Sequence, residues 1–227
     1  MADPTIIIEQ KLTASDIRTL AERETPMHLK ACRLDGQNLS RIAMPGWIFE
    51  QSTLANAVMD GARLEDAQFL RCRAGHASFV GARLEDAVIR DSDFNNANFR
   101  RADLNQVSIT DCKLTGANLA EVSALDLKIE ATLLAAAMLP GLSFRKYRLE
   151  RIDFSMADLS RCDFRDAVFQ DCSLRDAHLV DARFQGADLR GADLGGISLR
   201  DASKFKGAVI SRQQAGQLLA EMGLSVR

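Results

Sequence analysis

In the stretch Asn95-Asn96-Ala97-Asn98-Phe99-Arg100-Arg101-Ala102-Asp103-Leu104, Ala97 and Ala102 each stand two places before a large apolar residue, Phe99 or Leu104, and every other position is polar. The same spacing extends in both directions. Backward, the large slot recurs at Phe94, Ile89, Leu84, Phe79, Phe69, Leu64, Met59, Leu54, Phe49, Met44, Leu39, Leu34 and Leu29. Forward, it runs through Ile109, Leu114 and Leu119, then from Ile129 to Leu199, and only Ala74 and Ala124 are small in that phase. The position two before it holds Ala57, Ala62, Ala67, Cys72, Ala77, Ala82 and Ala87, and later Ala157, Cys162, Ala167, Cys172 and Ala177. Roughly 35 consecutive fives keep one phase, so the chain is an array of one small unit.

A period of five matches neither the 3.6 of a helix nor the 2 of a strand. The chain must therefore turn once in every five residues. Extended backbone places residues two apart on one face, so the small and the large residue both point inward, and the remaining three face water or make the turn. Those three are where Asp, Arg, Asn, Ser and Gly collect.

Ala187-Asp188-Leu189-Arg190-Gly191 and Ala192-Asp193-Leu194-Gly195-Gly196 resemble the A(D/N)LXX unit of the pentapeptide repeat proteins. That resemblance covers residues 27 to about 203. It implies an all-β fold, a right-handed quadrilateral β-helix with four fives per coil, in which residues 20 apart stack at about 4.8 Å and about nine coils make a rod on the order of 40 Å long. Stability then comes as a sum of neighbour terms between coils. The expected organisation is an N-terminal cap over 1–26, the β-helix over 27–203, and a C-terminal segment over 204–227.

Composition excludes several classes of function. The 227 residues carry 29 Lys and Arg against 31 Asp and Glu, too balanced for bulk attraction to phosphate, so no direct nucleic-acid binding is expected. Apolar runs are too short for a membrane span or a secretory core, which leaves a cytoplasmic address as the expectation. Cys32, Cys72, Cys112, Cys162 and Cys172 all fall in the small inward slot and read as core packers. His28, His76 and His178 fall on non-adjacent coils and cannot form a zinc set. A rod filled by its own side chains offers no evident pocket, so neither an enzyme nor a cofactor is expected.

Both ends leave the register, as a solenoid's exposed edges require. Ile6, Ile7 and Ile8 can add a strand, and Thr13-Ala14-Ser15-Asp16 opens a short helix reaching about Glu24 before Pro26. At the other end Ser211 and Gln214 form a capping box ahead of a helix with Ala215, Leu218, Leu219 and Met222 along one stripe. The stripe either caps its own last coil or packs against a second copy. The tail, including Leu224 and Val226, is similar to that of the quinolone-resistance branch, which implies a homodimer through the C-terminus.

That branch binds bacterial type II topoisomerases, DNA gyrase or topoisomerase IV, by mimicry of duplex DNA or by direct contact. The resemblance therefore implies a topoisomerase partner for this chain. The candidate acidic face is Glu65 and Asp66 beneath Glu85 and Asp86, with Asp126 and Asp166 further along the column. Yet residues 27–202 hold 25 acidic against 22 basic residues, and such a run also reads as a solvated face. An interaction scaffold with a different partner, such as an adaptor in a bacterial secretion or toxin system, is the alternative. Between 121 and 152 oversized residues enter the small slot, among them Leu142 and Tyr147, beside the basic Arg145, Lys146 and Arg148. This stretch is a candidate kink or contact site, and an insertion of five or ten residues would pass there without breaking phase.

Overall fold

The computed structural model describes residues 5–196, 203–221 and 223–224. They belong to two compact units, Met1–Thr132 and Leu133–Arg227, which carry nine turns of parallel β-solenoid between them.

The period of five becomes a corner through backbone handedness. Asn56, Gly61, Asp66 and Arg71 have φ of 57°, 62°, 58° and 54°, and every fifth residue onward to Gly186 repeats this. Most corners are closed by a hydrogen bond across three residues: Ala57 N–H donates to the Leu54 carbonyl at 3.0 Å, Ala62 to Met59 at 3.0 Å and Ala67 to Leu64 at 3.1 Å. A turn with positive φ at its third residue is type II, and Asn, Asp and Gly tolerate that position best. The Met44–Trp47 corner has proline second and glycine third, with Gly46 at φ 67°.

In the first unit, strands β1 (Thr5–Ile8), β2 (Met27–Lys30), β3 (Ile48–Glu50), β4 (Gln68–Leu70), β5 (Val88–Arg90), β6 (Ser108–Thr110) and β7 (Lys128–Glu130) follow one another in a parallel sheet. Phe49 lies opposite Phe69, Phe69 opposite Ile89 and Ile89 opposite Ile109, a register of 20 residues. The other walls show the same step in bridges such as Thr53 to Arg73, Val58 to Ser78 and Arg63 to Arg83. Four columns five residues apart make a four-sided coil. In the second unit β8 (Arg148–Glu150) pairs with β9 (Val168–Gln170), and β10 (Cys172–Ser173) with β11 (Ala192–Asp193), again 20 residues apart.

The large slots fill each unit. Leu64, Phe69, Phe79, Phe154, Phe164 and Phe184 are fully buried, each contributing roughly 1.5–3 kcal/mol of hydrophobic stabilisation before entropy is charged. Rings one coil apart stack: Phe49 on Phe69 at 4.8 Å, Phe79 on Phe99 at 5.0 Å, and Phe144 on Phe164 on Phe184 at 5.3 and 4.9 Å.

Before the first coil, β1 pairs with β2, and Thr13 caps helix α1 (Ala14–Ala21) in a capping box with Asp16. Ile17 is buried, and Ala14 N–H donates to the Gln37 side-chain oxygen at 2.9 Å, which ties α1 to the first coil. This helix ends at Ala21 rather than near Glu24, because Glu24 turns left-handed at φ 52° to send the chain into Pro26. At the far end the register steps by one: Asp188 bridges Val209, and Phe205 stacks on Phe184 at 4.7 Å, so one extra residue has entered the repeat. Leu199, the last large-slot residue of the sequence pattern, lies outside the described residues. Helix α2 (Arg212–Glu221) is the last described element.

Candidate functional site

Outward side chains are placed by the turns. Glu65 and Asp66 occupy the two central positions of the Leu64–Ala67 turn, Glu85 and Asp86 those of the Leu84–Ala87 turn, and Asp66 N–H donates to the Glu85 carbonyl at 2.9 Å. The structure thus brings these four carboxylates onto one corner of adjacent coils. They are not alike. Arg83 Nε lies 3.2 Å and Arg63 Nε 3.5 Å from Glu65, and Arg83 also reaches Glu85 at 3.7 Å. Asp66 and Asp86 are exposed and have no ion pair among the described residues. Farther along the first unit Gln106 interrupts the column before the exposed Asp126. Asp166 belongs to the second unit, where Arg145 Nε approaches it at 3.8 Å.

Residues 121–152 keep the five-residue pattern throughout. Glu121, Asp126, Ala131, Ala136, Gly141, Lys146 and Arg151 all have positive φ, so no loop leaves the register there. The boundary between the two units falls within this stretch, after Thr132. Leu142 is buried in its slot, and Tyr147 is half-buried with its ring edge-on to Phe144 at 6.1 Å. Lys146 sits at the third position of the Phe144–Tyr147 turn. Arg148 pairs with Glu150 and donates to the Gln170 side chain at 2.7 Å.

On α2, Ser211 and Gln214 make the reciprocal cap: Gln214 N–H donates to Ser211 Oγ at 3.1 Å, and Ser211 N–H to Gln214 Oε1 at 2.6 Å. Gln214 does more. Its Nε2 donates to the carbonyls of Leu189 and Ala192, both at 2.7 Å, and the side chain is buried. Ala215 and Leu218 are half-buried, while Leu219 and Leu224 are exposed. Met222 and Val226 lie outside the described residues.

Matches to the pentapeptide repeat family model, in eight copies, cover residues 48–86, 67–106, 82–119 and 157–196. The chain belongs to the pentapeptide repeat family. No curated protein matches it in sequence. Among solved structures it resembles full-length QnrB1, a plasmid-mediated fluoroquinolone resistance protein, at 23% identity and TM-score 0.77 over 87% of this chain and 100% of that one. A trypsin-treated variant of QnrB1 matches at 24% identity and TM-score 0.75, over 87% of this chain and 98% of the other. A second trypsin-treated variant matches at 20% and 0.69, over 99% and 98%. These likenesses establish the shared solenoid.

Within this pentapeptide repeat chain the small slot carries a second message. Where β3 to β6 lead into a corner, that slot holds Ser52, Cys72, Ser92 and Cys112, 20 residues apart. Ser92 Oγ accepts from Cys72 N–H at 2.9 Å and lies 2.7 Å from the Arg90 carbonyl, and Ser52 is placed likewise, with Cys32 N–H donating to it at 3.0 Å. A side-chain hydroxyl there carries bonding that the other corners make with backbone alone. The spacing of 20 was visible in the sequence; its meaning as a marker of corner type was not. All five cysteines are free and buried. Burial pushes the thiols of Cys72 and Cys162 up to about 12 and that of Cys112 to about 11. Among the described residues no group of His, Cys, Asp and Glu could hold a metal, and no helix is long and apolar enough to cross a membrane.

Proposed function

We propose that this chain is a non-enzymatic binding protein that engages a bacterial type II topoisomerase and modulates it or protects it from quinolones. The observation that carries this reading is the likeness to QnrB1 along that protein's entire length, at TM-score 0.77. The outward side chains supply a recognition surface: Asp66 and Asp86 stack one coil apart with no ion pair among the described residues, at a spacing comparable to phosphates along a strand. Mimicry of DNA is then confined to short uncompensated stretches, since neighbouring Glu65 and Glu85 are held by Arg63 and Arg83.

The test is gyrase supercoiling with and without ciprofloxacin. Micromolar protein is expected to inhibit supercoiling or restore it in the presence of drug, and Asp66→Asn with Asp86→Asn to weaken the effect. An enzyme indifferent to stoichiometric through micromolar protein refutes the reading. One observation favours the second reading, a scaffold for a different partner: carboxylates in both units are matched by arginines, as at Glu65 with Arg83, Asp193 with Arg175 and Asp188 with Arg190, which gives a surface of mixed sign.

The C-terminal helix is the proposed dimer contact, presenting Leu219 beside the half-buried Ala215 and Leu218, with the exposed Leu224 following it. Charged residues introduced at Leu218 and Leu219 should yield monomers by light scattering. An unchanged mass would leave α2 as a cap on its own coil.

A further inference from the structure

The first unit contains a cleft of about 470 Å³ where the chain leaves α1 and enters the solenoid. That size falls within the range of small-molecule sites. One wall is the segment through Glu24 and Pro26; the other is the corner carrying Pro45 and Trp47, with Arg63 and Asp66 from the next coil. Both walls are stiff. Pro45 fixes one backbone angle of a hydrogen-bonded turn, in which Trp47 N–H donates to the Met44 carbonyl at 3.3 Å. A Cβ on Gly46 would lie 3.5 Å from Pro26 Cγ, so the two proline-bearing segments meet at the base of the cleft. Trp47 occupies a small slot that alanine, cysteine or serine fills in the following coils, and its side chain is almost completely buried beneath the apolar lining.

The polar groups around this apolar lining favour one sign of charge. Arg63 is the cation on the lining, and its guanidinium turns to Glu65, with Nε 3.5 Å from the carboxylate. Glu24 and Asp66 carry no ion pair among the described residues, and both are exposed at the rim. Each sits at a left-handed corner, with φ of 52° and 58°, so a defined turn rather than a free loop presents it. An anion entering the cleft would meet two uncompensated carboxylates. A neutral apolar molecule would gain no attraction from either, since both stay hydrated at the rim.

We propose that this cleft binds a small organic cation: an ammonium group held between Glu24 and Asp66, joined to an apolar body resting on Pro26 and Pro45, over the buried Trp47. This inference shares Asp66 with the topoisomerase reading but does not rest on it, and the amine titration below involves no topoisomerase. The chain has a single tryptophan, and it lines the cleft, so intrinsic emission reports occupancy directly. Titration of the full chain at pH 7 with 2-phenylethylamine, 2-phenylethanol and 3-phenylpropionate tests the charge preference on one ring scaffold. A saturable change in Trp47 emission is expected with the amine, about five- to tenfold weaker binding with the alcohol, and weaker still with the carboxylate. Glu24→Gln combined with Asp66→Asn should abolish the preference of amine over alcohol while the unliganded emission stays that of the parent. The proposal is overturned by no saturable response to the amine, by equal responses to the three probes, or by a folded double variant that keeps the preference. The three-probe comparison on the parent chain decides the matter even where the double variant fails to fold.

Discussion

Gln214→Ala removes the side chain that fastens α2 to the last described coil. In the parent, one amide group serves three backbone partners: its oxygen accepts from Ser211 N–H at 2.6 Å, and its nitrogen donates to the Leu189 and Ala192 carbonyls at 2.7 Å. A net hydrogen bond contributes about 0.5–1.5 kcal/mol, and a buried polar group stripped of its partner costs about 1–3 kcal/mol. The combined loss is about 2–3 kcal/mol. A ten-residue helix is marginal by itself, so a loss of that size falls on docking rather than on the solenoid. Hydrogen exchange reads it directly: amides of residues 212–221 should exchange about 30- to 150-fold faster, with those of the coils unchanged. Gln214→Glu gives the complementary test. Its carboxylate would face two carbonyls, which raises the docked-state pKa above the unfolded value of about 4.3. Docking should then be present below that value and be lost as pH rises through the raised pKa. Exchange in α2 within about twofold of the parent in Gln214→Ala would refute the assignment of Gln214 as the anchor.

Three further outcomes follow from the packing. Asp163 is nearly buried between Arg165 at 2.7 Å and Arg183 at 3.0 Å, and the hydrogen bond from Arg165 holds its carboxyl below the usual carboxylate range. Its contribution is therefore present above the unfolded pKa of about 3.9 and is lost as pH falls through the lower folded value; Asp163→Asn should flatten that acid limb in denaturant titrations. Thiol reagents at pH 8 should leave the cysteines of the native protein unmodified and label all five in denaturant, because burial holds Cys72 and Cys162 near 12 and Cys112 near 11. Rapid native labelling would show that the coils open. Gly186→Ala places a Cβ 2.5 Å from Asp166 Oδ1 at a φ of 74° and should cost about 1–3 kcal/mol in unfolding free energy, part of it recovered by Asp166→Ala.

The solenoid was readable because one rule repeats: Ala97 and Phe99 differ from Ala102 and Leu104 only in the size of the inward residue. Both helix starts were legible for local reasons, since the Thr13–Asp16 and Ser211–Gln214 boxes lie within four residues of sequence. What escaped depends on residues about a coil apart. Glu65 is compensated by Arg83, 18 positions on, and Glu121 by Arg100 and Arg101, 21 and 20 positions back. Such pairs follow from stacking register and side-chain reach, so counting charges along the chain gave no sign of which carboxylates remain uncompensated. The double duty of Gln214 was hidden likewise, its carbonyl partners lying 25 and 22 residues upstream. The extra residue before Val209 fell where the five-residue phase had already faded into Lys204 and Phe205.

The left-handed residue recurring in steps of five from Asn56 to Gly186 makes angular position an integer property of the sequence. Within either unit, duplicating one quintet would swing every later side chain onto the adjoining wall, whereas duplicating four quintets would lengthen the stack and leave each wall's chemistry facing as before. Lineages of such proteins can thus change reach in one kind of step and orientation in another, with the aromatic interior undisturbed by both.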